Sequence, residues 1–148
     1  HQPASRRVSG RLMTGGVLAD TGPLYALADP SDQFHQRSHQ ELADIIHRRR
    51  LVMIPLTALM EAHNLISRRL GHTYALAWLD EIRSGATLLN PEYTDYLAAL
   101  ETLKAYPDQD ISLADATVAA LSERLRLPVW TFDHHFDTMG STVWRARR

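Results

Sequence analysis

Long apolar blocks alternate with polar stretches along the chain, and their lengths predict the elements. Val17-Leu18-Ala19 is an uninterrupted apolar run that ends abruptly in Asp20-Thr21 and is bounded by Gly15-Gly16 and Gly22-Pro23. A run of this kind predicts a strand buried on both faces, as in parallel sheets covered by helices. Leu51-Val52-Met53-Ile54-Pro55 repeats the pattern, Ala86–Leu89 is a third short strand, and Val129–Phe132 is a fourth, closed by Asp133. Ser141–Trp144 is expected as a fifth at an edge.

The intervening segments carry helical spacing. Pro23 suits the first turn of a short helix through about Ala28, and Asp29-Pro30-Ser31-Asp32 forms a turn. Ser31 or Asp32 is expected to cap a helix to about Arg50. Its inward stripe is Leu42, Ala43, Ile45 and Ile46; His35, His39 and His47 lie on an exposed face, and Arg48-Arg49-Arg50 forms a basic last turn. Thr57 is the expected N-cap of a helix through Leu70, with Gly71 as its left-handed stop. Further helices are predicted over Thr73–Ile82 and Thr94–Tyr106, the latter with Leu97, Leu100 and Leu103 in one stripe. Ser112-Leu113-Ala114-Asp115 has the form of a capping box that opens a helix to about Arg126, with Ala119, Ala120 and Leu121 inward. Strands alternating with helices predict one α/β domain with a parallel sheet.

Composition narrows the class. The 148 residues suit one domain that buries roughly 68–70% of its unfolded surface. There are no cysteines, which excludes a disulfide framework and thiolate metal sites and accords with a reducing compartment. No signal peptide and no apolar stretch approaching about 18 residues is present, so a soluble, cytoplasmic protein without a membrane partner is expected. Residues 1–12 hold three arginines and no acid, which leaves 13 basic against 17 acidic side chains in residues 13–148. The first segment reads as an upstream remnant or disordered arm, with Met13 the expected native start. The mildly acidic body argues against a broad duplex-coating surface, so any nucleic-acid contact should be local.

The chemistry lies in the acids. Asp20 and Asp133 end strands, and Glu61 falls in the first turns of a helix that directly follows a strand. All three therefore reach the edge of a parallel sheet where ligands bind. Asp115 joins them if the loop before its helix returns to that edge. Each acid alone has a structural explanation, Asp115 and Glu61 at helix starts and the two aspartates in turns. Four converging carboxylates do not: two unit charges 4 Å apart repel by roughly 4 kcal/mol at an effective dielectric near 20. The arginine clusters at 48–50 and 68–69 fall at the opposite edge, so a divalent cation is the expected counter-charge. Oxygen ligands without cysteine or a tight histidine cluster select Mg²⁺ or Mn²⁺ over Zn²⁺. Such ions serve phosphoryl and phosphodiester chemistry. Asp110 and Asp137 lie near the same edge as additional metal-site acids or as loop and cap residues. Thr21 and Thr131 are expected to orient carboxylates. His134-His135 is placed to touch substrate phosphates or is simply solvated, and His35 and His39, with no third ligand, read as a solvated face.

These stretches resemble the PIN-domain proteins, specifically the VapC-type toxins of bacterial type II toxin–antitoxin pairs. The resemblance runs over about residues 16–140 and rests on Val17-Leu18-Ala19-Asp20-Thr21, Thr57-Ala58-Leu59-Met60-Glu61, Ile111-Ser112-Leu113-Ala114-Asp115-Ala116 and Thr131-Phe132-Asp133-His134-His135-Phe136, in that order. It implies a three-layer α/β/α sandwich on a parallel sheet of four to five strands, forming a single nuclease domain over residues 13–148. It also implies a Mg²⁺- or Mn²⁺-dependent endoribonuclease in which Asp20, Glu61, Asp115 and Asp133 are the acidic quartet, and Asp110 and Asp137 occupy positions where extra acids vary. Homodimerisation and inhibition by a cognate antitoxin follow from the same likeness, and a wide apolar face on the helices at 57–82 would suit a dimer. A haloacid-dehalogenase-type phosphohydrolase would want an Asp at position 22, which is Gly. A PIN-like domain that only binds RNA or a partner is the non-enzymatic alternative.

Overall fold

The computed structural model describes residues 15–146 and, before them, two short strands, β1 (Arg7–Val8) and β2 (Arg11–Leu12), paired antiparallel. The rest of the segment read as a disordered arm, and the final Arg147-Arg148, lie outside the described residues. The central sheet is built from β3 (Gly16–Ala19), β4 (Leu51–Pro55), β5 (Thr87–Leu89) and β6 (Val129–Trp130). Every pairing is parallel and the spatial order is β5-β4-β3-β6. The chain thus builds outward from β3 to one side through β5, then crosses back to place β6 on the other. The crevice at the carboxyl ends of β3 and β6 is the point where the strand order reverses, the usual ligand position in open α/β sheets.

Helices cover both faces. After β3 come α1 (Thr21–Ala28) and α2 (His35–His47), after β4 come α3 (Leu56–Leu70) and α4 (His72–Gly85), and after β5 come α5 (Tyr93–Ala105) and α6 (Leu113–Leu125); α7 (His135–Thr138) follows β6. Successive strand side chains point to opposite faces. Val17, Ala19, Ile54 and Trp130 accordingly join a core with Tyr25, Ile45, Ala62, Ile66 and Trp78 from α1 to α4. Val129 packs with Val118 of α6 and Phe136 of α7 on the other face. This is the expected three-layer sandwich. Among the described residues no helix is long and apolar enough to cross a membrane.

Several local expectations are corrected. Asp32 accepts from the Phe34 N–H (2.8 Å) and so closes a turn, and α2 starts only at His35. Its buried positions are Ser38, Glu41 and Ile45, while Ile46 is exposed, because buried Glu41 is drawn in to accept from the Trp130 indole N–H (3.2 Å). Thr57 is not a cap: α3 begins one residue earlier, and the Thr57 hydroxyl is buried without a partner. Gly71 has the positive φ expected of it (98°), but its ψ of 157° leads directly into α4. The fifth strand reduces to a parallel bridge between Val143 and Val129.

The α5 stripe is also misplaced. Leu97 and Leu100 are each 46% exposed, and Asp95 and Ala99 are buried instead. Small residues let α5 lie close on α6, where Ala99 packs with Ala116. Arg124 of α6 then holds Asp95 through two bonds of 2.8 and 2.9 Å. That guanidinium keeps the Asp95 carboxyl below the usual carboxylate range. Asp95→Ala removes two charge-assisted hydrogen bonds but leaves an Arg124 that is 35% exposed and still faces Glu92 at 3.7 Å, so it is expected to cost about 1.5 kcal/mol, measured by urea unfolding at neutral pH.

Candidate functional site

Asp20 is the first residue after β3, and Asp133 is the third after β6. The Asp20 N–H continues the ladder by donating to the Trp130 carbonyl (2.9 Å), which sets Asp20 beside Thr131. The Thr131 hydroxyl donates to Asp20 Oδ2 (2.8 Å) and its oxygen accepts from the Asp133 N–H (3.0 Å), so one threonine positions both aspartates. Glu61, on α3, is reached from α1, where the Thr21 hydroxyl donates to Glu61 Oε2 (3.3 Å). Asp115 stands in the first turn of α6, its N–H capped by the Ser112 hydroxyl (3.0 Å). Thr21 and Thr131 thus each donate a hydrogen bond to one of these carboxylates.

The electrostatics show which acids meet. Asp20 is buried, and that burial, followed by the charges of Asp115 and Asp133, pushes its carboxyl up to about 7 against the hydrogen bonds from Thr131 and the Thr21 N–H. Asp115 is raised as well, first by burial and then by Asp133, with Ser112 and His135 opposing. Asp20, Asp115 and Asp133 are therefore within mutual electrostatic reach, and Glu61 joins through Thr21. Among the described residues Asp20, Glu61 and Asp115 form no ion pair, and Asp133 meets only imidazoles, His135 at 3.1 Å and His134 at 3.8 Å. A buried carboxylate among like charges without a protein cation is unfavourable unless a bound cation compensates. The oxygen donors of Asp20, Glu61, Asp115 and Asp133 fit a hard divalent ion such as Mg²⁺ or Mn²⁺.

The remaining candidates separate. Asp110 is exposed in the loop before α6, and no hydrogen bond or ion pair joins it to the quartet. Asp137 lies on α7 and is held by Arg145 (3.1 Å). His35 is half-buried rather than solvated: its Nδ1 lies 2.7 Å from the Ala26 carbonyl, and its ring meets that of His39 edge to face. Asp133, His134 and His135 bring one ligand atom each within 4.8 Å of one another, a tighter histidine group than the sequence suggested. Asp133 Oδ1 also accepts from the His135 N–H (2.9 Å), so this acid opens α7 as well as facing the site.

Sequence reasoning missed three residues at this edge. Phe132, between Thr131 and Asp133, stacks on Phe34 with ring centroids 4.5 Å apart, and the Arg37 guanidinium carbon lies 4.7 Å from the Phe132 centroid. The signals were present, an aromatic between two site residues and an arginine one helical turn after an aromatic. The inward turn of α2 that joins them is a tertiary effect.

Comparison with known proteins bears on the fold and the family. Among curated proteins, none matches the sequence. By structure, the chain is similar to VapC20 of Mycobacterium tuberculosis, described as a sarcin-ricin-loop-cleaving toxin (TM-score 0.79, 22% identity, covering 88% of this chain and 100% of that one). It is also similar to VapBC2 of Rickettsia felis bound to a promoter DNA fragment (TM-score 0.70, 11% identity, 87% and 96% covered) and to DNA-bound VapBC of Salmonella typhimurium (TM-score 0.66, 16% identity, 86% and 95% covered). At these identities the likeness establishes the fold, that of VapC toxins. The PIN-domain family model matches residues 17–141, a span that holds all four acids and all of the parallel sheet but Gly16, and the chain belongs to the PIN-domain family.

Proposed function

We propose that this chain is a divalent-cation-dependent endoribonuclease, the toxin of a type II toxin–antitoxin pair, with residues 13–148 as a single nuclease domain. The observation that carries the reading is the gathering of Asp20, Asp115, Asp133 and Glu61 at the switch point of the sheet, with no Lys or Arg among the described residues paired to them. The similarity to toxins of VapBC pairs supports a cognate antitoxin as partner, and RNA as substrate accords with a cytoplasmic protein. Exposed Met60, Tyr74 and Leu76 on α3 and α4 support a homodimer.

In this reading Asp20, Glu61, Asp115 and Asp133 hold Mg²⁺ or Mn²⁺, and Asp110 and Asp137 contribute no more than outlying charge. The chemistry such an ion supplies when bound is charge stabilisation at the phosphoryl oxygens and activation of water. The protein's own part is placement: Thr131 and Thr21 fix the rotamers of Asp20 and Glu61, Ser112 fixes the helix start that carries Asp115, and the sheet locks Asp20 beside Thr131. No side-chain nucleophile is needed. Unpaired loops are favoured over duplex, because their bases can be splayed out.

The deciding experiment is incubation of a pool of structured RNAs with the purified chain, freed of any co-purifying antitoxin, with Mg²⁺, Mn²⁺ or EDTA. Discrete cuts that require the metal and vanish in Asp20→Asn are expected. Metal binding without cutting, where a control nuclease works, would turn the reading to the binding-only alternative.

A further inference from the structure

We propose that Arg37, mounted on the Phe34–Phe132 stack, binds a phosphodiester group of the RNA next to the one being cut. The inference rests on the nuclease reading above and adds a substrate-binding residue to it.

The mount is built from both sides of the site. Phe132 is flanked in the chain by Thr131, which bonds Asp20, and by Asp133, so its ring is anchored to the acidic edge. Phe34 stacks on it with planes 25° apart, and the first turn of α1 abuts the same ring: a Cβ added at Gly22 would stand 3.7 Å from Phe132 Cδ2. The Arg37 guanidinium carbon lies 4.7 Å from the Phe132 centroid and 6.0 Å from that of Phe34, within the range of cation–π attraction. Its Nε faces Glu41 Oε1 at 3.5 Å, and Glu41 is itself held by the Trp130 indole. The stem of the arginine is therefore fixed. Among the described residues Glu41 is the one acid recorded in an ion pair with Arg37, and the Arg37 side chain remains 54% exposed.

A planar guanidinium that is held on one side and half-exposed on the other matches the paired oxygens of a phosphodiester. The need for it follows from charge. The body of the chain carries 13 basic against 17 acidic side chains, and its cutting edge gathers four of those acids. A polyanion approaching that edge is repelled except where a cation is mounted beside it. Three other arginines are committed elsewhere: Arg124 to Asp95, Arg145 to Asp137, and Arg50 to the Gly16 carbonyl at the far end of β3.

The test is steady-state cleavage of an RNA that the wild-type chain cuts, with Mg²⁺, at monovalent salt from about 50 to about 200 mM. Arg37→Gln is expected to raise KM about tenfold, with kcat changed by less than about twofold, as for loss of one charge-assisted hydrogen bond. The slope of log(1/KM) against log salt is expected to fall by about 0.7 to 1, the signature of one lost phosphate contact. Arg37→Lys keeps the charge and should retain most of the slope. A purely structural brace for Glu41 would lower Tm and leave KM and the slope unchanged, and that result overturns the proposal. Fluorescence anisotropy of the same RNA on Asp20→Asn, with and without Arg37→Gln, repeats the test without chemistry; equal affinities overturn it too. A wild-type chain that neither cuts nor binds RNA defeats the nuclease reading along with this one, whereas cleavage indifferent to Arg37 defeats this one alone.

Discussion

Asp20→Asn is expected to reduce metal-dependent RNA cleavage by at least about a hundredfold while making the metal-free protein more stable at pH 8, by about 4 kcal/mol. The two effects have one cause. Burial and the charges of Asp115 and Asp133 push the folded-state Asp20 carboxyl up to about 7 from an ordinary value of 3.8. An acid raised in this way binds its proton more tightly in the folded state than in the unfolded one. Its contribution is therefore fully present below about pH 4, declines as pH rises, and is exhausted once pH passes about 7. At pH 8 the folded, metal-free protein holds a buried carboxylate against its preference. Asparagine keeps the shape and can still engage the Thr131 hydroxyl, but it never has to ionise. Urea unfolding of both proteins in EDTA, between pH 5 and 8, checks this: the stability difference should widen by about 1.4 kcal/mol per pH unit up to about 7. A variant no more stable than wild type at pH 8 would show that the site is not strained by its own charge.

That strain also explains which parts of the molecule were legible beforehand. The strand that ends at Asp20 could be read because a continuous apolar run closed by a charge has few other solutions. The strand-end edge could be inferred from the alternation of strands and helices, and with it the expectation that Asp20, Glu61 and Asp133 reach one edge; the switch point needed the strand order. Asp115 depended on a long loop returning to the same edge, and the Ser112 cap shows where that return ends. What was hidden lies where a polar pair overrides hydrophobic periodicity. Asp95 is pulled under α5 by Arg124, which leaves Leu97 and Leu100 outside, and Glu41 is pulled under α2 by Trp130, which leaves Ile46 outside. In both cases the partner is more than 25 residues away, so no local pattern announces it. The Arg37 mount was invisible for the same reason, since it requires the turn before α2 to meet the end of β6.

Apparent affinity for Mg²⁺ or Mn²⁺ is expected to fall about tenfold from pH 8 to pH 6 and about a hundredfold from pH 8 to pH 5. A divalent ion requires Asp20 as carboxylate, and a group that titrates at about 7 is protonated for most molecules at pH 6, so proton and metal compete for one position. Asp115, raised in the same direction, steepens the loss at the acid end. The competition has a thermodynamic counterpart in Tm. At pH 8 the ion neutralises the charge that destabilises the metal-free fold, and at a hundredfold excess over Kd it should add about 2.7 kcal/mol. At pH 5 the same concentration should add little, because the proton held by Asp20 has lowered the affinity about a hundredfold. Calorimetric titration with Mn²⁺ at pH 5, 6, 7 and 8 measures the first effect and thermal melts with and without the ion measure the second. The Asp20→Asn protein should lose most of the affinity at pH 8 and most of its pH dependence together. If the Asp20→Asn protein instead kept the affinity at pH 8, the Asp133-His134-His135 group would be the metal's holder, and the carboxylate quartet would be left without one.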